Sequence, residues 1–265
     1  MSDSKNKKPT AAAIQAQLES PSYRLAALDQ DFLLSDSMRG VRFMLEYAKA
    51  EDVLRRWQIH STVVVFGSAR VTEGGEGKRG FWYDQARQFG RICSQRGGAL
   101  DGTGTAHRNV IATCGGPGVM EAANRGAFEA GAPSIGFNIT LPHEQFPNPY
   151  TTPELTFQFH YFAMRKMHLA MRARALAVFP GGFGTFDELF ELMTLVQTTK
   201  APKLPIVLFD EEFWSKAVNF DALVEAGTIS VGDPDLFCYA NDAETVWNKL
   251  EEGGLLCADD HVYIT

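Results

Sequence analysis

The chain is short of several things, and each shortage removes a class of function. Cysteine is scarce. The four in 265 residues, Cys93, Cys114, Cys238 and Cys257, stand far apart with no C-x-x-C pair. Neither a zinc site nor a disulfide framework is indicated, no metal is called for, and a reducing, cytoplasmic setting is expected. No run approaches the roughly 20 apolar residues of a membrane-spanning helix, so no membrane partner is expected. Met1 to Lys8 is polar and basic without the apolar core of a secretory signal. Positive charge is not in excess: 25 Lys and Arg against 32 Asp and Glu leave a net charge of −7, the wrong sign for non-specific nucleic-acid binding. No internal repeat is visible.

What the chain does have is glycine in particular places. Ala175 to Phe179 is an apolar run of strand length, Pro180-Gly181-Gly182-Phe183-Gly184-Thr185-Phe186-Asp187-Glu188 follows, and Leu189, Phe190, Leu192, Met193, Leu195 and Val196 then recur at helical spacing. This reads as strand, glycine turn, helix. Glycines admit positive φ and remove the Cβ atoms that would hold a ligand away from the amides. Unpaired N–H groups at a helix start favour an anion, and a phosphate fits best. The plainer alternative is a capping box, Thr185 capping the helix and Glu188 closing it three residues on. The two are compatible, although the box alone leaves three glycines unexplained.

Two further turns have the same form. Ser61 to Phe66 is a β-branched run ending in Gly67-Ser68-Ala69-Arg70, placing Gly67 and Ser68 at a strand end where doubly wound sheets bind ligands. Asn109 to Cys114 leads into Gly115-Gly116-Pro117-Gly118-Val119-Met120 and a helix to Ala130. Gly116 and Gly118 are therefore candidates for a second anion cradle, or for close helix–strand packing.

The remaining elements read in order. Residues 1 to about 20 suit a tail entering a weak helix, and Ser35 or Ser37 to Trp57 an amphipathic helix that packs on the core or on a second subunit. Val71 to Gly80 is a loop, Phe81 to Arg96 a helix, Ser134 to Ile139 a strand, and Leu141 to Tyr150 a proline-rich loop. That loop carries His143, a candidate base contact or simply a solvated side chain. Leu155 to His160 is a strand. Tyr161 to Arg174 reads as a helix with Met164, Met167, His168 and Met171 on its buried stripe and Arg165 and Arg172 on one side. Leu204 to Phe209 is a strand; Glu211 to Ala226 and Ala243 to Glu252 are helices. Strands alternating with helices indicate an α/β fold, a doubly wound parallel sheet over residues 58–265, preceded by an N-terminal helical extension over 1–57.

The run Pro180 to Glu188 resembles the PGGxGTxxE signature of the LOG family, proteins formerly labelled possible lysine decarboxylases and regarded as nucleoside 5′-monophosphate phosphoribohydrolases. Met164-Arg165-Lys166, Gln197-Thr198-Thr199-Lys200 and the turn at Gly115 to Met120 resemble that family's pattern too, over roughly residues 60 to 210. Against it, residues 99–108 look inserted, and His107 and Arg108 there are expected to be solvated. The resemblance implies a Rossmann-like fold, a homodimer or larger homo-oligomer, no cofactor, and hydrolysis of a nucleoside 5′-monophosphate such as AMP or a cytokinin riboside 5′-monophosphate to free base and ribose 5-phosphate. It implies catalytic roles for Arg165 and Glu188. Substrate or phosphate contacts are expected from Gly67, Ser68, Gly116, Gly118, Met164, Lys166, Gly181, Gly182, Gly184 and Thr185, with Asp187 and Glu191 nearby. Two rivals remain: a nucleotide sensor without catalysis, and a pyridoxal-phosphate decarboxylase using Lys166, for which the chain offers no further partner.

Overall fold

A computed structural model of the chain describes residues 10–100, 106–141 and 146–255. The expectations for Met1 to Lys8, His143, Cys257 and the stretch 101–105 lie outside the described residues. The elements run α1 (Ala11–Glu19), α2 (Gln30–Leu34), α3 (Arg39–Arg56), β1 (Thr62–Phe66), α4 (Lys78–Arg96), β2 (Val110–Thr113), α5 (Val119–Glu129), β3 (Ser134–Ile139), β4 (Thr156–Phe159), α6 (Phe162–Met171), β5 (Ala173–Val178), α7 (Phe183–Gln197), β6 (Ile206–Phe209), α8 (Glu211–Ala217), α9 (Phe220–Glu225), β7 (Cys238–Ala240) and α10 (Ala243–Glu252). The chain divides into two units, Met1–Ala48 and Lys49–Thr265. The first is α1, α2, short 3-10 turns and the start of α3; α1 and α2 bury no side chain.

The second unit is built on seven strands in the order β4-β3-β2-β1-β5-β6-β7, all paired in parallel. Parallel strands are covered on both faces, so they read as continuous apolar runs. In β1 the alternation separates the two cores. Val63 and Val65 pack with Phe89, Ala123 and Trp247; Val64 and Phe66 pack with Leu169, Leu189 and Trp214 on the other face. All three valines are fully buried, each worth about 1.5–3 kcal/mol relative to exposure.

Several boundaries differ from the sequence reading. The helix expected to run to Arg174 stops at Met171, because Ala173 already pairs with Thr62 of β1. The helix expected over 211–226 is two: Val218 is extended, and the Asn219 side chain accepts from the Ala222 N–H at 3.0 Å to start α9. α4 begins at Lys78, three residues early, immediately after Gly77 at φ +61°. β7 was not anticipated. His107 is half-buried: it bridges to Ile59, and its Nδ1 lies 2.8 Å from the Ala99 carbonyl oxygen.

Candidate active site

The chain leaves β1 toward β2, β3 and β4 on one side and returns as β5, β6 and β7 on the other. β1 and β5 therefore flank the topological switch point, where open α/β sheets bind ligands beyond the strand ends. Three turns interlock there. Phe179 donates its N–H to the Phe66 carbonyl at 2.8 Å, Ser68 donates to Pro180 O at 3.0 Å, and Val119 donates to Ser68 O at 3.1 Å. Gly118 sits at φ +78°, and a Cβ on it would lie 2.2 Å from Ser68 O. Its lack of a side chain is what allows the β2–α5 turn to close on the β1 loop.

Above these turns opens a cavity of about 860 Å³. Of the expected contacts, Gly67, Ser68, Gly181, Gly182, Gly184 and Thr185 line it, together with Arg165 and Glu188. Gly116, Gly118, Met164 and Lys166 do not. The Gly116 carbonyl accepts from Asn148 Nδ2 at 3.1 Å, and Gly118 serves the packing just described. Met164 is half-buried against the core. Lys166 is held by Asp187 at 2.7 Å and Glu191 at 2.9 Å. Burial pulls its pKa down, but those hydrogen bonds outweigh it and leave the ammonium above its usual range.

The Pro180 turn does not form a capping box. α7 starts at Phe183 with Gly182 as its N-cap and no side-chain cap. Thr185 and Glu188 are already inside the helix. Phe186 N–H is the first to bond back, to Gly182 O at 3.1 Å, so the amides of Phe183, Gly184 and Thr185 precede the intrahelical ladder. Gly181 is required by the protein itself, since a Cβ would fall 2.0 Å from Thr185 Oγ1. Gly184 is not strained as a positive-φ glycine would be, and a Cβ there would meet no protein atom within 4 Å. A side chain at Gly184 would displace only what the cavity holds.

Arg165 on α6 and Glu188 on α7 meet across the cavity floor as a buried ion pair. They are 7% and 4% exposed. The Arg165 guanidinium lies 4.9 Å from the centre of the Phe162 ring, and its Nε has no hydrogen-bond partner. Burial pushes the Glu188 carboxyl above the usual carboxylate range; Arg165 and then Lys166 oppose this without cancelling it. Burial also lifts the neighbouring Cys114 thiol to about 11, against the pull of Arg165, so it is a thiol and not a nucleophilic thiolate at neutral pH. Arg172 does not share this side of α6. It turns to Glu51.

The cavity also draws in Arg70, Trp82, Asn138, Phe183 and Phe213. Arg70 and Asn138 stand at strand ends beside residues already singled out, and that position was the signal for them. Trp82 on α4 and Phe213 on α8 carried no local signal. Among the described residues, no cluster of His, Cys, Asp or Glu could hold a metal ion, and no helix is long and apolar enough to cross a membrane.

A family model described as possible lysine decarboxylase matches residues 120–250. Cytokinin riboside 5′-monophosphate phosphoribohydrolase LOG4 of Arabidopsis thaliana is 28% identical over 185 residues, 63% of this chain and 85% of the relative. The chain matches the LOG family. A second Arabidopsis thaliana LOG relative, LOG1, carries the same functional name and is 28% identical over 182 residues, 62% of this chain and 84% of its own length. The X-ray structure of TM1055 superposes with a TM-score of 0.51 at 20% identity, covering 72% of this chain and 99% of that one. It supports the Rossmann-like α/β fold. The LOG match begins at Met120 and spans α6, the Pro180 loop and α7, so it contains both members of the buried Arg165–Glu188 pair.

Proposed function

We propose that the chain is a phosphoribohydrolase, cleaving the N-glycosidic bond of a nucleoside 5′-monophosphate to free base and ribose 5-phosphate, with AMP or a cytokinin riboside 5′-monophosphate as substrate. The observation that carries this is the buried Glu188 carboxylate, paired with Arg165 and set one turn and a half into a helix whose first residues line the same cavity. The 5′-phosphate binds at the amides of Phe183, Gly184 and Thr185, where the helix dipole adds to the hydrogen bonds. Cleavage builds positive charge on the ribose, and Glu188 beside C1′ stabilises it and orients the attacking water. Arg165 opposes burial and favours the ionised form of Glu188. Its unpaired Nε is available to the phosphate or to the leaving base.

The names of the relatives support the same chemistry. Against a Schiff-base role, Lys166 is pinned as an ammonium between Asp187 and Glu191. A cytoplasmic setting and a homodimer or larger homo-oligomer are part of the proposal, resting on the scattered cysteines and on the family resemblance.

Incubation with AMP, an N6-prenylated adenine nucleotide, pyrimidine monophosphates and adenosine, with chromatography for free base, tests it. At least one purine monophosphate should yield base and ribose 5-phosphate, with adenosine a far poorer substrate than AMP. Equal kcat/KM for adenosine and AMP, or no base from any nucleotide, contradicts the reading.

A further inference from the structure

The cavity is not uniform along the sheet. Its polar groups gather at the ends of β1 and β5, and Asn138 stands at the end of β3. On the other side, one strand spacing of about 4.8 Å beyond β5, the wall at the end of β6 is aromatic. Trp82 and Phe213 line it with ring centroids 5.8 Å apart at 71°, an edge-to-face pair. Two elements distant in sequence, α4 and α8, supply them.

The indole is held from behind. Trp82 donates Nε1–H to Asp210 Oδ2 at 2.8 Å. Asp210 is 4% exposed and directly follows β6. Its carboxylate also accepts from Lys78 Nζ at 3.1 Å and from the Phe213 N–H at 3.2 Å. One side chain therefore fixes the ring on α4 and the start of the helix carrying the other ring. Asp210 adopts φ +69° and ψ +81°, a left-handed conformation costly for a residue with a side chain and maintained where surroundings demand it.

We infer that Trp82 and Phe213 form the wall that receives the nucleobase, with Asp210 as the positioning residue that sets the indole. The inference rests on the proposed function and deepens it by assigning the base end of the substrate. A planar base is recognised by stacking on or against aromatic faces. Among the described residues, the lining on the β3 side, Asn138, Ile139 and Leu141, has no ring. A phosphate on the α7 amides leaves the β6 side as the direction in which a ring meets rings.

Calorimetric binding of AMP and of ribose 5-phosphate to the full chain separates this wall from the phosphate loop. Trp82→Ala should weaken AMP about tenfold or more, as loss of a base–aromatic stack does, while ribose 5-phosphate binding stays within about twofold. Trp82→Phe, which keeps a ring but cannot donate to Asp210, should fall between Trp82→Ala and the wild type. Equal losses for AMP and ribose 5-phosphate, unchanged AMP affinity in Trp82→Ala, or a Trp82→Phe protein as weak as the alanine variant overturns the assignment. The two readings fail separately. AMP binding that depends on Trp82 in a protein that releases no adenine would support the wall and contradict the hydrolase.

Discussion

Two buried arginine–glutamate pairs have their arginines seven residues apart in sequence, and their surroundings differ in every respect that matters. Arg172 grips Glu51 through two bonds, at 2.8 and 2.9 Å, and donates Nε to the Ile59 carbonyl at 3.1 Å. Glu51 also accepts from Arg55 at 2.6 Å. Burial alone would raise the Glu51 pKa, but the Arg172 and Arg55 bonds outweigh it and hold the carboxyl below its ordinary value. Arg165 and Glu188 have a single mutual contact, an unpartnered Nε, a cavity in front of them, and a carboxyl held above its ordinary value. A closed, satisfied pair is structural. An open one keeps capacity that a ligand in the cavity could meet.

The comparison breaks most visibly at Arg172. Arg172→Ala leaves Glu51 buried with one of its three bonds and should cost about 3–5 kcal/mol of stability, read by denaturant unfolding, with turnover per folded molecule nearly unchanged. A stable but inactive Arg172→Ala protein would put this pair in the site. A smaller effect separates the two carboxylates by pH. Glu188 must ionise to act, so the acid limb of kcat/KM should lie above the ordinary 4.5 of a glutamate. Arg165 lowers the Glu188 pKa, so Arg165→Ala should move that limb to higher pH. A limb that moves downward contradicts the pairing. For stability the signs are opposite. Glu51, with a lowered folded pKa, contributes stability that is present above its unfolded pKa and lost as pH falls through the folded one. Glu188, with a raised folded pKa, favours the fold when protonated, a contribution lost as pH rises through that value.

The fold was legible wherever a pattern was long enough to have a period. β3 and α10 carry the bounds read from sequence, and the β-branched run at Thr62 to Phe66 forms the central strand. Three residues of β7 are too few to show alternation. Ala173 and Arg174 are good helix formers drawn into a strand by pairing with β1, and the break at Val218 has neither proline nor glycine to announce it. In the site, the glycine signature and the Met164-Arg165-Lys166 motif pointed to the Pro180 loop, Glu188 and Arg165, which line one cavity. Gly116, Gly118 and Lys166 lie outside the cavity lining, Gly118 against Ser68 and Lys166 against Asp187 and Glu191 of α7. Trp82 and Phe213 were invisible because only the strand order brings α4 and α8 together.

Glu188→Gln, assayed for both turnover and melting temperature, addresses the central claim most directly. Gln keeps an oxygen that can accept from Arg165, so the variant should melt close to the wild-type temperature at neutral pH. Without the charge that stabilises the ribosyl cation, kcat and kcat/KM for AMP should fall together, on the order of a hundredfold or more, with KM little changed. A variant that melts well below the wild type yet turns over AMP at a near-normal rate per folded molecule would show that Glu188 belongs with Glu51, as part of the scaffold.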